Sequence, residues 1–243
     1  MVAMIDLTMK LAFGSSVRMG TGYATNGLDE VIDDKAPLTA SGIKGVLRDE
    51  ARLLLAPTKK GEDISAKDDH PFVTAVFGGP SGRQCPWNFD IDIHDERRGD
   101  AGRPSGPGEG QNAAEPNTNR HALEVTSRAS LRLDDTGSIV DGALLVKEEA
   151  WIGTATLRLF QRDRLCASGL PESWQQDPEM VRQAHLALIS VAARLVDKVG
   201  QRKTRGMGWV EFLPDPQRPI KEDLEIVRQI MAGQHAKEAA SDG

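Results

Sequence analysis

The chain of 243 residues is short of several things, and each shortage closes off a class of function. It has only two cysteines, Cys85 and Cys166, and no Cys-x-x-Cys pair. That argues against a thiolate zinc site and leaves no disulfide framework to expect. No apolar run approaches the length of a membrane span, so no membrane partner is expected. Residues 1–13 alternate rather than forming a secretory core, which predicts a cytoplasmic protein. None of the five histidines stands at metal-pair spacing with another. The glycine-rich stretch Gly14–Gly22 lacks the Lys-Ser/Thr of a nucleotide-hydrolysing loop. Positive charge is also in deficit: the net charge is −6, so the chain cannot coat nucleic acid by bulk charge. A local basic groove on an acidic body stays open.

What is present suggests a globular α+β domain. Ile5, Leu7, Met9, Leu11 and Phe13 alternate with polar or small residues, the mark of a half-buried strand. A helix is expected from Ala40–Gly42 onward, with Ile43, Val46, Leu47, Leu54 and Leu55 as its buried stripe. Lys44, Arg48 and Arg52 recur every fourth position on another face. Phe72–Phe77 leads into a turn, Gly78–Arg83, and a short strand is expected at Phe89–Ile93. Residues 95–120, rich in glycine, proline and charge, suggest a mobile insertion. A hairpin is expected over Ala129–Val146, then one strand over Trp151–Leu159. Pro178 behind the cap Asp177 opens a second long helix with Val181, Ala184, Leu188, Val191, Ala192, Leu195 and Val199 facing the core, ended by Gly200. A strand at Met207–Phe212 and a short polar C-terminal helix follow. The order β–α–β–β–α–β predicts a ferredoxin-like fold with inserts.

Two segments carry candidate chemistry. Ser41-Gly42-Ile43-Lys44-Gly45-Val46-Leu47-Arg48 puts glycines and a hydroxyl at a helix start, where free N–H groups suit a phosphate. Gly42 and Gly45 each cost about 1 kcal/mol against alanine in a helix, which points to close backbone approach there. The loop Gly200–Gly208 holds Arg202, Lys203 and Arg205 between glycines. It reads either as a basic helix cap or as a phosphate cradle. Asp90, Asp92 and His94 share one strand face, read as an exposed edge strand in preference to a metal site. The four tryptophans could stack bases, though core or interface positions fit most of them better.

Pro37-Leu38-Thr39-Ala40-Ser41-Gly42-Ile43-Lys44-Gly45-Val46-Leu47-Arg48 resembles the Ser-Lys-Gly signature of the RAMP superfamily, the repeat-associated RNA-binding proteins of CRISPR effector complexes. Phe77-Gly78-Gly79 with Arg83, the hairpin opening at Thr126–Leu131, and Gly200–Gly208 resemble that family's central turn, thumb and C-terminal glycine-rich loop, in the family's order. The best match within it is the backbone subunit of type III complexes. The resemblance implies a modified ferredoxin-like, RNA-recognition-motif-like core over 1–213, with a thumb hairpin at 126–149 and the insertion at 95–120, and a C-terminal helix and tail over 214–243. It implies that Ser41, Lys44, Arg48, Arg202, Lys203 and Arg205 bind guide RNA.

The segment Gly27–Asp34 is similar to the family's catalytic loop, which implies Asp29 as the residue that cleaves complementary target RNA and as a ligand of Mg²⁺ or another divalent ion, with Asp33 and Asp34 as competitors. Implied partners are the guide RNA, the target RNA, other subunits of the complex and further copies of this chain. A non-catalytic scaffold of the same fold is the main alternative. A guide-processing endoribonuclease is the next, and the absence of histidine from Gly14–Gly22 and Gly200–Gly208 counts against it.

Overall fold

A computed structural model describes residues 6–19, 31–33, 36–56, 69–79, 82–94, 124–131, 134–140, 144–200, 206–213 and 218–241, with backbone only at 124 and 234–241. Strand β1 (Leu7–Phe13) leads to helix α1 (Ala40–Leu54), short helix α2 (Pro71–Phe77) and β2 (Trp87–His94). Strands β3 (Glu124–Ser130) and β4 (Leu145–Trp151) precede β5 (Thr154–Gln161). A single turn, α3 (Glu172–Gln175), then α4 (Pro178–Leu195), β6 (Val210–Leu213) and α5 (Ile220–Ser241) complete the order. The expected insertion at 95–120 lies outside the described residues.

The main sheet runs β2-β5-β1-β6, and every neighbouring pair is antiparallel. Counting only these four strands, the spatial order is second, third, first, fourth, the arrangement of a ferredoxin-like fold. Leu7, Met9 and Leu11 of β1 and Ala155, Leu157 and Leu159 of β5 are buried in the same core as Ile43 and Leu47 of α1 and the inner face of α4. The β3–β4 hairpin forms a separate two-stranded sheet, joined at its base where Val17 bridges to Ala150. The fold is thus the modified ferredoxin-like core with a thumb hairpin that the sequence predicts.

Several boundaries differ from expectation. Trp151–Leu159 is not one strand: Trp151 closes β4 and Thr154 opens β5. Between them the Gly153 carbonyl accepts from Phe13 N at 3.0 Å, so the chain turns out of the hairpin and into the sheet. The run Phe72–Phe77 is helical, capped by His70, whose Nδ1 accepts from Phe72 N at 3.2 Å. The C-terminal helix is long, at 22 residues, and buries Val227 and Ile230. Helix α4 does not reach Gly200. It ends at Leu195, half exposed rather than core-facing, and Val196 is already extended. Val196 and Val199 are buried from an extended segment whose spacing mimics a helical stripe.

His185 on α4 is fully buried. Its Nδ1 accepts from Trp87 Nε1 at 3.2 Å, and its Nε2 donates to the Cys166 carbonyl at 2.9 Å. Burial lowers its pKa from 6.5 to about 4, against a smaller opposing pull from the Cys166 hydrogen bond. The unfolded chain therefore binds a proton that the folded chain refuses between these two values. Stability from this site is complete above pH 6.5 and is lost as pH falls toward 4, at about 1.4 kcal/mol per pH unit. His185→Gln is expected to flatten the urea-unfolding free energy across that window; an unchanged slope would count against this assignment.

Candidate nucleic-acid interface

Helix α1 begins with Thr39 as its cap, Oγ1 accepting from Gly42 N at 3.1 Å. No acidic residue occupies its first turn, so the positive end of the helix dipole is left uncompensated. Ser41 and Lys44 stand at this end. The two glycines differ. A Cβ on Gly42 would meet Thr39 Oγ1 at 2.9 Å and Met19 Sδ at 3.0 Å, so glycine there lets the β1 loop pack on the helix. A Cβ on Gly45 would meet nothing within 4 Å. Nothing described in the fold requires glycine at Gly45, and the helix surface there is bare.

Ser41, Lys44 and Arg48 come together on one wall of a cleft of about 730 Å³. The turn after α2 and the start of β2 form the other walls, bringing Arg83, Gln84 and Asn88, and Arg162 joins them from just past β5. Four cations line this cleft and no carboxylate does. In an acidic chain that is a local inversion of charge. The cleft sits where the turn is tightest: Gly78 has φ +86°, and a Cβ there would meet Arg83 O at 2.8 Å. Gly79 N donates to the same carbonyl at 3.0 Å.

The four cations are not equivalent. Arg48 donates to Asp69 Oδ2 from Nε at 3.2 Å and from a terminal nitrogen at 2.6 Å, and Arg52 pairs with the same carboxylate. Burial pulls the Asp69 carboxyl upward, but the hydrogen bonds and charges of Arg52 and Arg48 outweigh it and hold its pKa below the usual range. Arg48 is thus anchored through its fork. Cys85, on the cleft wall, is a thiol pushed up by burial and stays protonated.

Arg202, Lys203 and Arg205 lie outside the described residues, but both ends of their loop are fixed. Val199 N donates to Gly208 O and Gly208 N to Ser16 O, each at 2.8 Å. Trp209 N donates to Ser15 Oγ at 2.9 Å. Gly200 has φ +85°, and a Cβ there would overlap the Arg18 carbonyl. It is a packing glycine five residues beyond the helix, not the helix cap. The described parts of the two glycine-rich segments therefore meet, and Met19 of the first touches the start of α1.

Asp29 also lies outside the described residues. On its C-terminal side, Ile32 N donates to Glu148 Oε2 of β4 at 3.0 Å, and Asp33 is exposed. The Asp90–Asp92–His94 face is engaged within the sheet: both aspartates flank Arg158, at 3.5 and 3.4 Å, and His94 Nε2 lies 2.8 Å from Thr156 Oγ1. Among the described residues no group of three or more His, Cys, Asp or Glu could hold a metal ion. Of the tryptophans, Trp87 is buried and Trp209 is half exposed beneath Lys198 Nζ, 4.0 Å from its ring centroid. No helix among the described residues is long and apolar enough to cross a membrane.

A model of the RAMP superfamily matches residues 10–211, and the chain belongs to that superfamily. No curated protein matches the sequence. Among solved structures, a chain from the cryo-EM structure of the type III-B Cmr-β complex bound to cognate target RNA shares the fold, with a TM-score of 0.50 at 12% identity. The alignment covers 91% of this chain and 99% of that one. A chain of a type IV-B CRISPR complex aligns at a TM-score of 0.45 and 15% identity, covering 88% of this chain and 91% of the other.

Proposed function

We propose that this chain is an RNA-binding subunit of a CRISPR effector complex of the type III kind, and that it holds the guide RNA along the cleft at the start of α1. The carrying observation is the cleft itself, with four cations, no carboxylate and an uncompensated helix N-terminus, in a chain whose net charge is negative. Phosphates suit such a wall of donors. Ser41 and Lys44 supply the near contacts, Arg48 supplies charge from its anchored position, and Arg202, Lys203 and Arg205 extend the path from the glycine loop. The thumb hairpin is held at 147–150, where Arg18 and Ile32 bond to β4, and is exposed toward its far end, which would interrupt a guide–target duplex. Other subunits and further copies of this chain would complete the channel.

In this proposal Asp29 serves cleavage of complementary target RNA. The ribose 2′-oxygen attacks the neighbouring phosphorus, its proton is taken up by a carboxylate, and the 5′-oxygen leaves. Asp29 would also be a ligand of a divalent ion, which would supply positive charge beside the attacked phosphate. Asp29→Ala tests the enzymatic part: assembled complexes should keep guide binding and lose cutting of complementary RNA. Cutting that continues would leave a scaffold. Chelation of divalent ions should likewise stop cutting, and undiminished cutting in EDTA would remove the metal from the proposal.

The bare surface at Gly45 gives a separable prediction. Gly45→Ala is expected to raise unfolding stability by about 0.5–1 kcal/mol, as alanine does in a helix interior. It should at the same time weaken RNA binding, because a methyl group would stand where the backbone of RNA approaches. Titration calorimetry beside urea unfolding checks both; a gain in stability with unchanged affinity would place the RNA elsewhere.

A further inference from the structure

The cleft has a second wall that the α1 signature does not contain. Arg83 and Gln84 come from the turn after α2, and Arg162 comes from the residue after β5, almost eighty positions on. Arg83 is held differently from Arg48. An Arg83 terminal nitrogen donates to Cys166 Sγ at 2.9 Å, and no carboxylate among the described residues pairs with it. A thiol is a weak acceptor, so this bond positions the guanidinium without neutralising it. Its other N–H groups are left for a ligand.

Arg162 donates to Gln84 Oε1 at 3.0 Å and to the Cys85 carbonyl at 3.4 Å, and its Nε pairs with Asp163 at 3.0 Å. An arginine can only donate, so it fixes which end of the Gln84 amide is oxygen. The Gln84 NH₂ is thereby left as a donor for another partner. The wall is braced from behind. Trp87 Nε1 donates to His185, and His185 donates to the carbonyl of Cys166, the residue whose sulfur holds Arg83.

We infer that Arg83, Gln84 and Arg162 form a second phosphate-binding wall, so that the cleft grips RNA phosphates from the side opposite Ser41 and Lys44. This rests on the proposed RNA-binding function and adds residues to it. Arg83 brings a charge with no described carboxylate against it, Gln84 brings its NH₂, and Arg162 brings the N–H groups that Asp163, Gln84 and Cys85 do not take, all donors suited to phosphate oxygens. Cys166 is a positioning residue here, acting through Arg83.

The test uses the full chain and a labelled single-stranded RNA, with affinity measured over a range of salt. The double variant R83E/R162E is compared with K44E, and thermal unfolding checks that each is folded. R83Q/R162Q serves if the reversal does not fold. Loss of two phosphate contacts should weaken binding roughly tenfold and reduce the log–log salt slope by about 1.4. R83K/R162K should recover most of the slope. If K44E weakens binding while the arginine variants bind like the parent, the second wall is wrong and the RNA-binding function stands. If none of the variants changes affinity, both fall. If the arginine variants keep RNA affinity but lose a protein subunit from the assembled complex, the wall serves an acidic protein surface and the inference is overturned.

Discussion

Asp69→Ala is expected to destabilise the chain by about 2–3 kcal/mol. The Asp69 side chain is 3% exposed, and the two arginines it holds, Arg48 and Arg52, are 22% and 18% exposed. Removing the carboxylate leaves Arg48 without its described carboxylate and Arg52 with only Asp49, two largely buried guanidinium groups of like charge on neighbouring turns of α1. Breaking a fully buried pair costs about 3–5 kcal/mol, and the partial exposure here brings the figure down. Asp69→Asn keeps acceptor oxygen and should cost less than half as much. Urea unfolding at neutral pH measures both, and a loss below about 0.5 kcal/mol for the alanine variant would mean that Asp69 is not the anchor. The released Arg48 would also lose its fixed place in the cleft, so RNA affinity should change with the stability.

Gly208→Ala is expected to cost about 3 kcal/mol or more. Gly208 has φ +75°, and a Cβ there would overlap the Val199 carbonyl. Accommodating it means giving up the left-handed backbone, at about 1–2 kcal/mol, and losing the hydrogen bonds to Val199 and Ser16, at about 1 kcal/mol each. Gly206 provides the control. It has a similar φ, +77°, but open space around it. Gly206→Ala should cost only the backbone strain of about 1 kcal/mol. The Gly208 variant should also loosen the base of the Arg202–Lys203–Arg205 loop and lower RNA affinity, whereas the Gly206 variant should not. Equal losses from the two substitutions would show that the ladder between 197–199 and 208–210 does not fix the loop.

Local patterns in the sequence carried a large part of this structure. Alternation in β1 and the Asp177–Pro178 opening of α4 are set by residues next to one another, and both are found where the pattern places them. The β–α–β–β–α–β order was sufficient for the core topology even though residues 95–153 separate the paired strands β2 and β5, because connections that do not cross leave few alternatives. The end of α4 was not legible. Leu195 and Val199 continue the helical spacing, yet Val199 is buried because its extended segment pairs with 208–210, a contact made across the glycine loop.

The candidate site divides in the same way. Ser41, Lys44 and Arg48 share one helix face, so their spacing brought them together. Asp69 as the partner of Arg48, and Arg162 lining the same cleft as Lys44, depend on contacts between distant segments that no local pattern encodes. Arg83 was visible only as part of a turn. Its hold on Cys166 links positions 83 residues apart.

The most direct test of RNA binding at the α1 cleft compares two single charge reversals, Lys44→Glu in the cleft and Lys221→Glu on the exposed surface of α5. Both remove the same charge from the chain. Binding of a labelled single-stranded RNA at fixed salt should weaken roughly tenfold for Lys44→Glu and stay within about twofold for Lys221→Glu. Equal weakening by the two, or no weakening by either, would contradict the placement of RNA in this cleft.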